Sequence, residues 1–150
     1  MIVYYLDASA WVKRYLREPG SDWISALFER RSAFSCSALG FLEVSATLAR
    51  KHKSGEIQAA ALQESTRRLR GDWARFYCVR LSPAVVETAL QRIEQSALRG
   101  ADAVHLASSL VLRSHLQTGG HELVLVASDR ELKEAAQQAG LTVMDPEAHA

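Results

Sequence analysis

Apolar residues fall in two rhythms along this chain. Short unbroken runs, Ile2-Val3-Tyr4-Tyr5-Leu6 and Leu123-Val124-Leu125-Val126-Ala127, are rich in β-formers and do not alternate with polar residues. That is the pattern of strands covered on both faces. Ala33–Ser37, Phe76–Leu81 and Leu141–Met144 read as three further strands. The segments between them carry apolar residues at helical spacing. They predict helices over Ala8–Leu16, Asp22–Arg30, Ala38–His52, Glu56–Arg70, Ala101–Leu116 and Arg130–Ala139. Another helix starts at Ser82-Pro83, with Ser as cap and Pro in the first turn, and ends before Gly100.

Turn chemistry sets the breaks. Pro19-Gly20 closes the first helix, and Ser21-Asp22 is placed to cap the second. Ser54-Gly55 stops the third helix, whose basic end Arg50-Lys51-His52-Lys53 suits a helix C-terminus. The resulting order, β-α-α-β-α-α-β-α-α-β-α-β, predicts an α/β domain over residues 1–150, with a mainly parallel sheet and helices on both faces. Trp11, Tyr15, Trp23 and Phe28 read as packing groups. The tail Asp145–Ala150 reads as a frayed end.

Composition narrows the classes. The 48% apolar and 23% charged residues are those of an ordinary globular protein, and the net charge of +1 means any nucleic-acid surface must be local. No apolar run approaches the ~20 residues that span a bilayer. The N-terminal run is too short for a signal peptide and ends in an acid. A cytoplasmic protein without a membrane partner is the expectation. Cys36 and Cys78 form no CxxC, so neither a disulfide framework nor a thiolate zinc site is indicated.

Four acids stand out against this background. Asp7 and Asp129 follow the two most apolar strands, Asp102 opens a helix after Gly100, and Glu43 sits among Leu39, Leu42, Ala46 and Ala49. In a parallel α/β sheet, strand ends and the following helix starts gather at one edge, where ligands bind. Carboxylates crowded there repel one another, and a divalent cation relieves the repulsion. The pattern points to a magnesium or manganese site and to phosphodiester cleavage. Each acid also has a plainer reading. Asp7, Asp102 and Asp129 suit helix starts, and Glu43 suits a salt bridge to Arg14 or Arg50. His105, one turn after Asp102, either steadies a carboxylate, meets a phosphate, or is simply a satisfied core histidine. Ser9 is placed to hydrogen-bond Asp7. Lys13 and Arg14, one or two turns after Asp7, are the candidate RNA-phosphate contacts.

The stretch Tyr5-Leu6-Asp7-Ala8-Ser9-Ala10-Trp11-Val12-Lys13-Arg14-Tyr15 resembles the opening of PIN-domain nucleases, and more narrowly of the VapC toxins of bacterial toxin–antitoxin pairs. Ser37–Val44 resembles the family's glutamate helix, Leu98–Ala107 its acid-and-histidine motif, and Val126–Leu132 its fourth acidic segment. The match covers the whole chain. The resemblance implies a three-layer α/β/α PIN-like fold. It also implies a metal quartet of Asp7, Glu43, Asp102 and Asp129, with Ser9, Ser128 and His105 as accessory polar groups. Asp7 and Asp102 would be the principal ligands of Mg2+ or Mn2+. Glu43 and Asp129 would hold a second ion or orient water. The implied activity is endoribonucleolytic cleavage of structured RNA such as tRNA or ribosomal RNA. The implied partners are a cognate antitoxin and a second copy of the chain, with the alanine-rich N-terminal helices as its candidate interface. Ala127 stands where many relatives carry Thr. Three other readings remain: a PIN-like module that binds RNA or protein without cutting, a magnesium-dependent phosphatase, and a plain α/β interaction module whose acids are caps and salt bridges. Ser9 counts against the phosphatase, which would want an acid there.

Overall fold

The computed structural model describes residues 1–149. Its elements follow the predicted order, with five strands and seven helices. The strands are β1 (Ile2–Leu6), β2 (Ala33–Ser37), β3 (Tyr77–Val79), β4 (Glu122–Val126) and β5 (Thr142–Met144). The helices are α1 (Ala8–Trp11), α2 (Ser21–Glu29), α3 (Ala38–Lys53), α4 (Ala59–Trp73), α5 (Pro83–Ser96), α6 (Gly100–Thr118) and α7 (Arg130–Gln138). All strand pairings are parallel, in the order β3-β2-β1-β4-β5, within a three-layer α/β/α arrangement.

That order fixes where a ligand site can form. The chain moves outward from β1 through β2 to β3, then returns to place β4 on the other side of β1. The reversal opens a crevice beyond the carboxyl ends of β1 and β4. Asp7 directly follows β1, and Asp129 follows β4 by three residues. The strands lining the crevice are buried: Val3, Tyr5, Leu6, Leu125 and Val126 are fully covered. Their β-branched and aromatic side chains pack between the helical layers.

The first predicted helix is shorter than its pattern. α1 ends at Trp11, and Val12–Arg14 tightens into a 3-10 turn. The geometry sends Trp11 inward, where its ring stacks on Phe76 at 4.6 Å and lies 5.9 Å from Trp73. Phe28 stacks on Phe34 at 4.1 Å, and Phe34 on Phe76 at 5.5 Å. Trp11, Phe28 and Tyr15 are packing groups, as expected. Ala10 and Trp11 are fully buried, so the inward side of this helix is spent on the core.

Two expectations are corrected. In α3 the inward line is Gly40, Val44 and Leu48, while Leu42 is 63% exposed and Ala46 and Ala49 are also exposed. A Cβ at Gly40 would overlap the Cys36 Sγ, so glycine lets this face of the helix approach β2 closely. Glu43 therefore lies at the margin of the buried face, not in its middle. The tail is also not frayed. Asp145 bonds Ser128 and Lys133, each at 2.7 Å, and Pro146–His149 forms a 3-10 turn against α2. There the His149 ring stacks on Trp23 at 5.2 Å. The last residue of the predicted frayed segment, Ala150, lies outside the described residues.

The cap of α2 differs too. Gly20, at φ +91°, precedes the helix, and Ser21 instead donates to the Leu16 carbonyl and accepts from the Glu18 amide. A Cβ on Gly20 would sit 2.8 Å from Pro146. Gly20→Ala should therefore lower stability by about 1–3 kcal/mol. It should also detach the terminal turn. Urea unfolding would read the first effect, and faster proteolysis at the C-terminus the second.

Candidate active site

Four chain segments deliver one acid each to the crevice. Asp7, Glu43, Asp102 and Asp129 line a cleft of about 170 Å³ together with Ser9, Arg99 and His105. The cleft opens into a groove of about 660 Å³ whose walls include Lys13, Thr47, Arg50, Ser128 and Glu147. Among the described residues, no three His, Cys, Asp or Glu side chains form a preassembled metal-ligand group. The fit to a divalent cation therefore rests on donor chemistry. The four acids offer carboxylate oxygens, the donors that magnesium and manganese take.

Asp7 is 4% exposed. Its Oδ1 accepts the Ala10 amide at 2.8 Å, which caps α1, and the exposed Ser9 hydroxyl donates to both its oxygens at 2.9 Å. Burial pushes its pKa up to about 6, against the opposing effects of His105 and these hydrogen bonds. Asp102 stands in the first turn of α6 and is half-buried. Burial first, then the charge of Asp129, raises its pKa. Arg99, 4.0 Å away and largely exposed, opposes that rise. Asp129 caps α7 by accepting the Leu132 amide at 3.0 Å. Thus Asp7 and Asp129 cap helices and face the cleft at once. Capping and ligand binding are not competing uses of these residues.

Glu43 has neither of the expected basic partners. Arg14 forms a two-point ion pair with Asp72, with Nε 2.6 Å from Oδ2, and its guanidinium lies 3.9 Å above the Phe28 ring. Arg50 donates to the Thr47 hydroxyl. Glu43 Oε1 instead lies 2.7 Å from His105 Nε2. His105 is 2% exposed, and its Nδ1 lies 2.8 Å from the hydroxyl of Tyr5, which is fully buried. Burial lowers the imidazole pKa, while Tyr5, Cys36 and Glu43 raise it, and the balance is well above the ordinary value. Burial pushes the Tyr5 phenol up to about 12.

The predicted basic contacts separate. Lys13 lines the groove, 5% exposed, and pairs with Glu18 at 3.2 Å. Arg14 lies outside both the cleft and the groove, in a separate pocket beside Phe28 and Asp72. Ser128 lines the groove, but its hydroxyl donates to Asp145, not to Asp129. Sequence reasoning passed over Tyr5, which reads as a core aromatic, and Arg99, whose exposed side chain carries no periodic signal. Tyr5 did leave one clue: it lies two residues before Asp7 and so faces the same side of the sheet.

The PIN domain family matches residues 4–138 of the chain. Two curated Mycobacterium tuberculosis proteins, Ribonuclease VapC45 and Ribonuclease VapC49, are each 37% identical over 143 residues, covering 95% of this chain and 95% of the relative. Among solved structures, a toxin-antitoxin complex from Klebsiella pneumoniae superposes with a TM-score of 0.61 at 18% identity, covering 95% of this chain and 97% of that one. The fold agrees with these likenesses. The chain belongs to the PIN-domain family, among its VapC ribonucleases.

Proposed function

We propose that this ribonuclease is a metal-dependent endonuclease, the toxin of a VapBC-type pair, and that it cuts structured RNA such as tRNA or ribosomal RNA. The observation that carries the reading is the convergence of Asp7, Glu43, Asp102 and Asp129, from four chain segments, on one cleft at the sheet's switch point. Asp7 and Asp102 would be the principal ligands of Mg2+ or Mn2+, with Glu43 and Asp129 holding a second ion or orienting water. A divalent cation bound there supplies charge neutralisation at the scissile phosphate and acidifies water. Ser9 restrains the Asp7 carboxylate by donating to both its oxygens. Lys13 lines the adjoining groove, where its charge would reach an RNA phosphate only by leaving its Glu18 partner. Arg14 is less suited to that work, since Asp72 already holds it. The cognate antitoxin would cover the cleft with a basic side chain, which the acids would attract.

A non-cutting PIN-like module is the second reading. It draws on the lack of a preassembled ligand group among the described residues. A ribonuclease assay on total cellular RNA separates the two. Discrete cuts that need Mg2+ or Mn2+, vanish with EDTA and fall at least about a hundredfold in Asp7→Asn support the nuclease. RNA binding without cleavage supports the module.

The raised Asp7 pKa gives a further expectation. The folded state holds that proton up to about pH 6, whereas an unperturbed aspartate releases it near 3.8. Stability of the metal-free protein therefore falls as pH rises from about 4 to about 6, by up to roughly 3 kcal/mol from this group. Asn keeps the cap acceptor and removes the penalty. Asp7→Asn should match wild type at pH 4 and melt higher at pH 8, with Mn2+ raising the melting temperature of wild type only. Calorimetry at both pH values would check this.

A further inference from the structure

We propose that His105 is a positioning residue for the ribonuclease centre, holding Glu43 with one oxygen engaged and one free, and that Tyr5 and Ser37 fix the histidine. The proposal rests on the reading of Glu43 as part of the metal site. It assigns no contact between His105 and RNA or cation.

Hydrogen-bond accounting sets the direction of this chain. The Ser37 amide can only donate, and it does so to the Tyr5 oxygen at 3.2 Å. The Tyr5 proton is then free for His105 Nδ1, 2.8 Å away. With Nδ1 accepting, the neutral ring carries its hydrogen on Nε2, which donates to Glu43 Oε1 at 2.7 Å. The reverse tautomer would set a lone pair against a carboxylate oxygen at that distance. A protonated ring also donates from Nε2. In either charge state the Glu43 contact is therefore a donated hydrogen bond.

Three further facts support a positioning role. Both ring nitrogens are engaged, so neither is left to ligate a cation. Among the described residues no other donor bonds Glu43's side chain; Arg14 binds Asp72 and Arg50 binds Thr47. The ring is also fixed by packing. It lies edge-on to Tyr5 at 5.8 Å, and a Cβ on Gly40 would come within 3.1 Å of its Cε1. A carboxylate on a helix margin, itself one-third exposed, samples several rotamers unless something holds it. The chain Ser37–Tyr5–His105–Glu43 ties that rotamer to β1, β2 and α6, and two of these elements also set Asp7 and Asp102. Hydrogen-bond partners of ligating carboxylates commonly tune metal affinity in this way.

The test is a Mn2+ titration of the purified full chain, read by the electron paramagnetic resonance of free Mn2+, on wild type, His105→Leu, His105→Gln, Glu43→Ala and the double variant His105→Leu/Glu43→Ala. Circular dichroism and thermal melting establish that each is folded. His105→Leu should weaken Mn2+ binding about tenfold to a hundredfold. His105→Gln, whose amide can replace the Nε2 donor, should recover most of it. The double variant should bind no more weakly than Glu43→Ala alone, since the histidine acts through that carboxylate. In the cleavage assay kcat should fall with KM for RNA unchanged. If His105→Leu does not fold, Tyr5→Phe carries the same test, keeping the ring while losing the hydroxyl, with a smaller loss. Unchanged Mn2+ affinity in His105→Leu, or losses that multiply in the double variant, would overturn the positioning role and leave the nuclease standing. A wild type that neither binds Mn2+ nor cuts RNA would overturn the nuclease reading and this proposal together.

Discussion

A carboxylate buried at the end of the central strand is the constraint around which the working edge is arranged. Asp7 cannot be hydrated like a surface aspartate, because it is almost wholly buried where β1 ends against Val126 and the first turn of α1. Its hydrogen bonds to Ala10 and Ser9 offset part of the desolvation, but not all of it, and the pKa stays raised. Such a residue weakens the isolated fold. It becomes favourable when a positive charge enters the cleft, whether that charge is a cation or a basic side chain from a partner. The same electrostatics would then support both activity and inhibition.

The opposite side of α1 shows how that edge is kept stiff. Trp11 stacks into the lattice of Phe76, Trp73, Phe41, Phe34 and Phe28, and its indole donates to the Tyr15 hydroxyl. Tyr15 donates in turn to Asp72, which also binds Arg14. Trp11, Arg14 and Tyr15 are four to eight residues from Asp7 and anchor the short helix that carries its cap. An arginine that looks like an RNA contact in the sequence is thus spent on holding the scaffold.

Much of this was legible in the residues, and the exceptions have physical causes. Continuous apolar runs and turn residues gave all five strands and seven helices, because buried parallel strands and amphipathic helices differ in period. The acids at strand ends were legible because polar residues there break an apolar run. The inward face of α3 was misjudged because Gly40 has almost no hydropathy signal, yet its missing side chain decides which face approaches β2. His105 was legible as a residue that could steady a carboxylate, but not which one, because His105 and Tyr5 are 62 and 100 residues from their respective bonding partners. The ordered tail was hidden for a related reason. Its anchors, Ser128, Lys133 and Trp23, are distant in sequence, and Asp145-Pro146 reads locally as a terminus.

The hydrogen-bond pattern removes the conflict between structural and functional uses of the acids. Asp129 gives Oδ2 to the Leu132 amide, and Glu43 gives Oε1 to His105. Asp7 gives Oδ1 to the Ala10 amide, and its other oxygen meets only the exposed Ser9 hydroxyl. A carboxylate has about four acceptor positions, so one committed oxygen fixes its orientation and leaves the other available. Helix caps and the buried histidine therefore perform for three of the four acids what an added shell of supporting residues would otherwise have to do. Asp129 and Glu43 are held by one oxygen and Asp7 by both, the second only through the exposed Ser9 hydroxyl, and none is saturated. Geometry that looks like ordinary capping would, under the proposed reading of this edge, also orient the carboxylates that a cation needs.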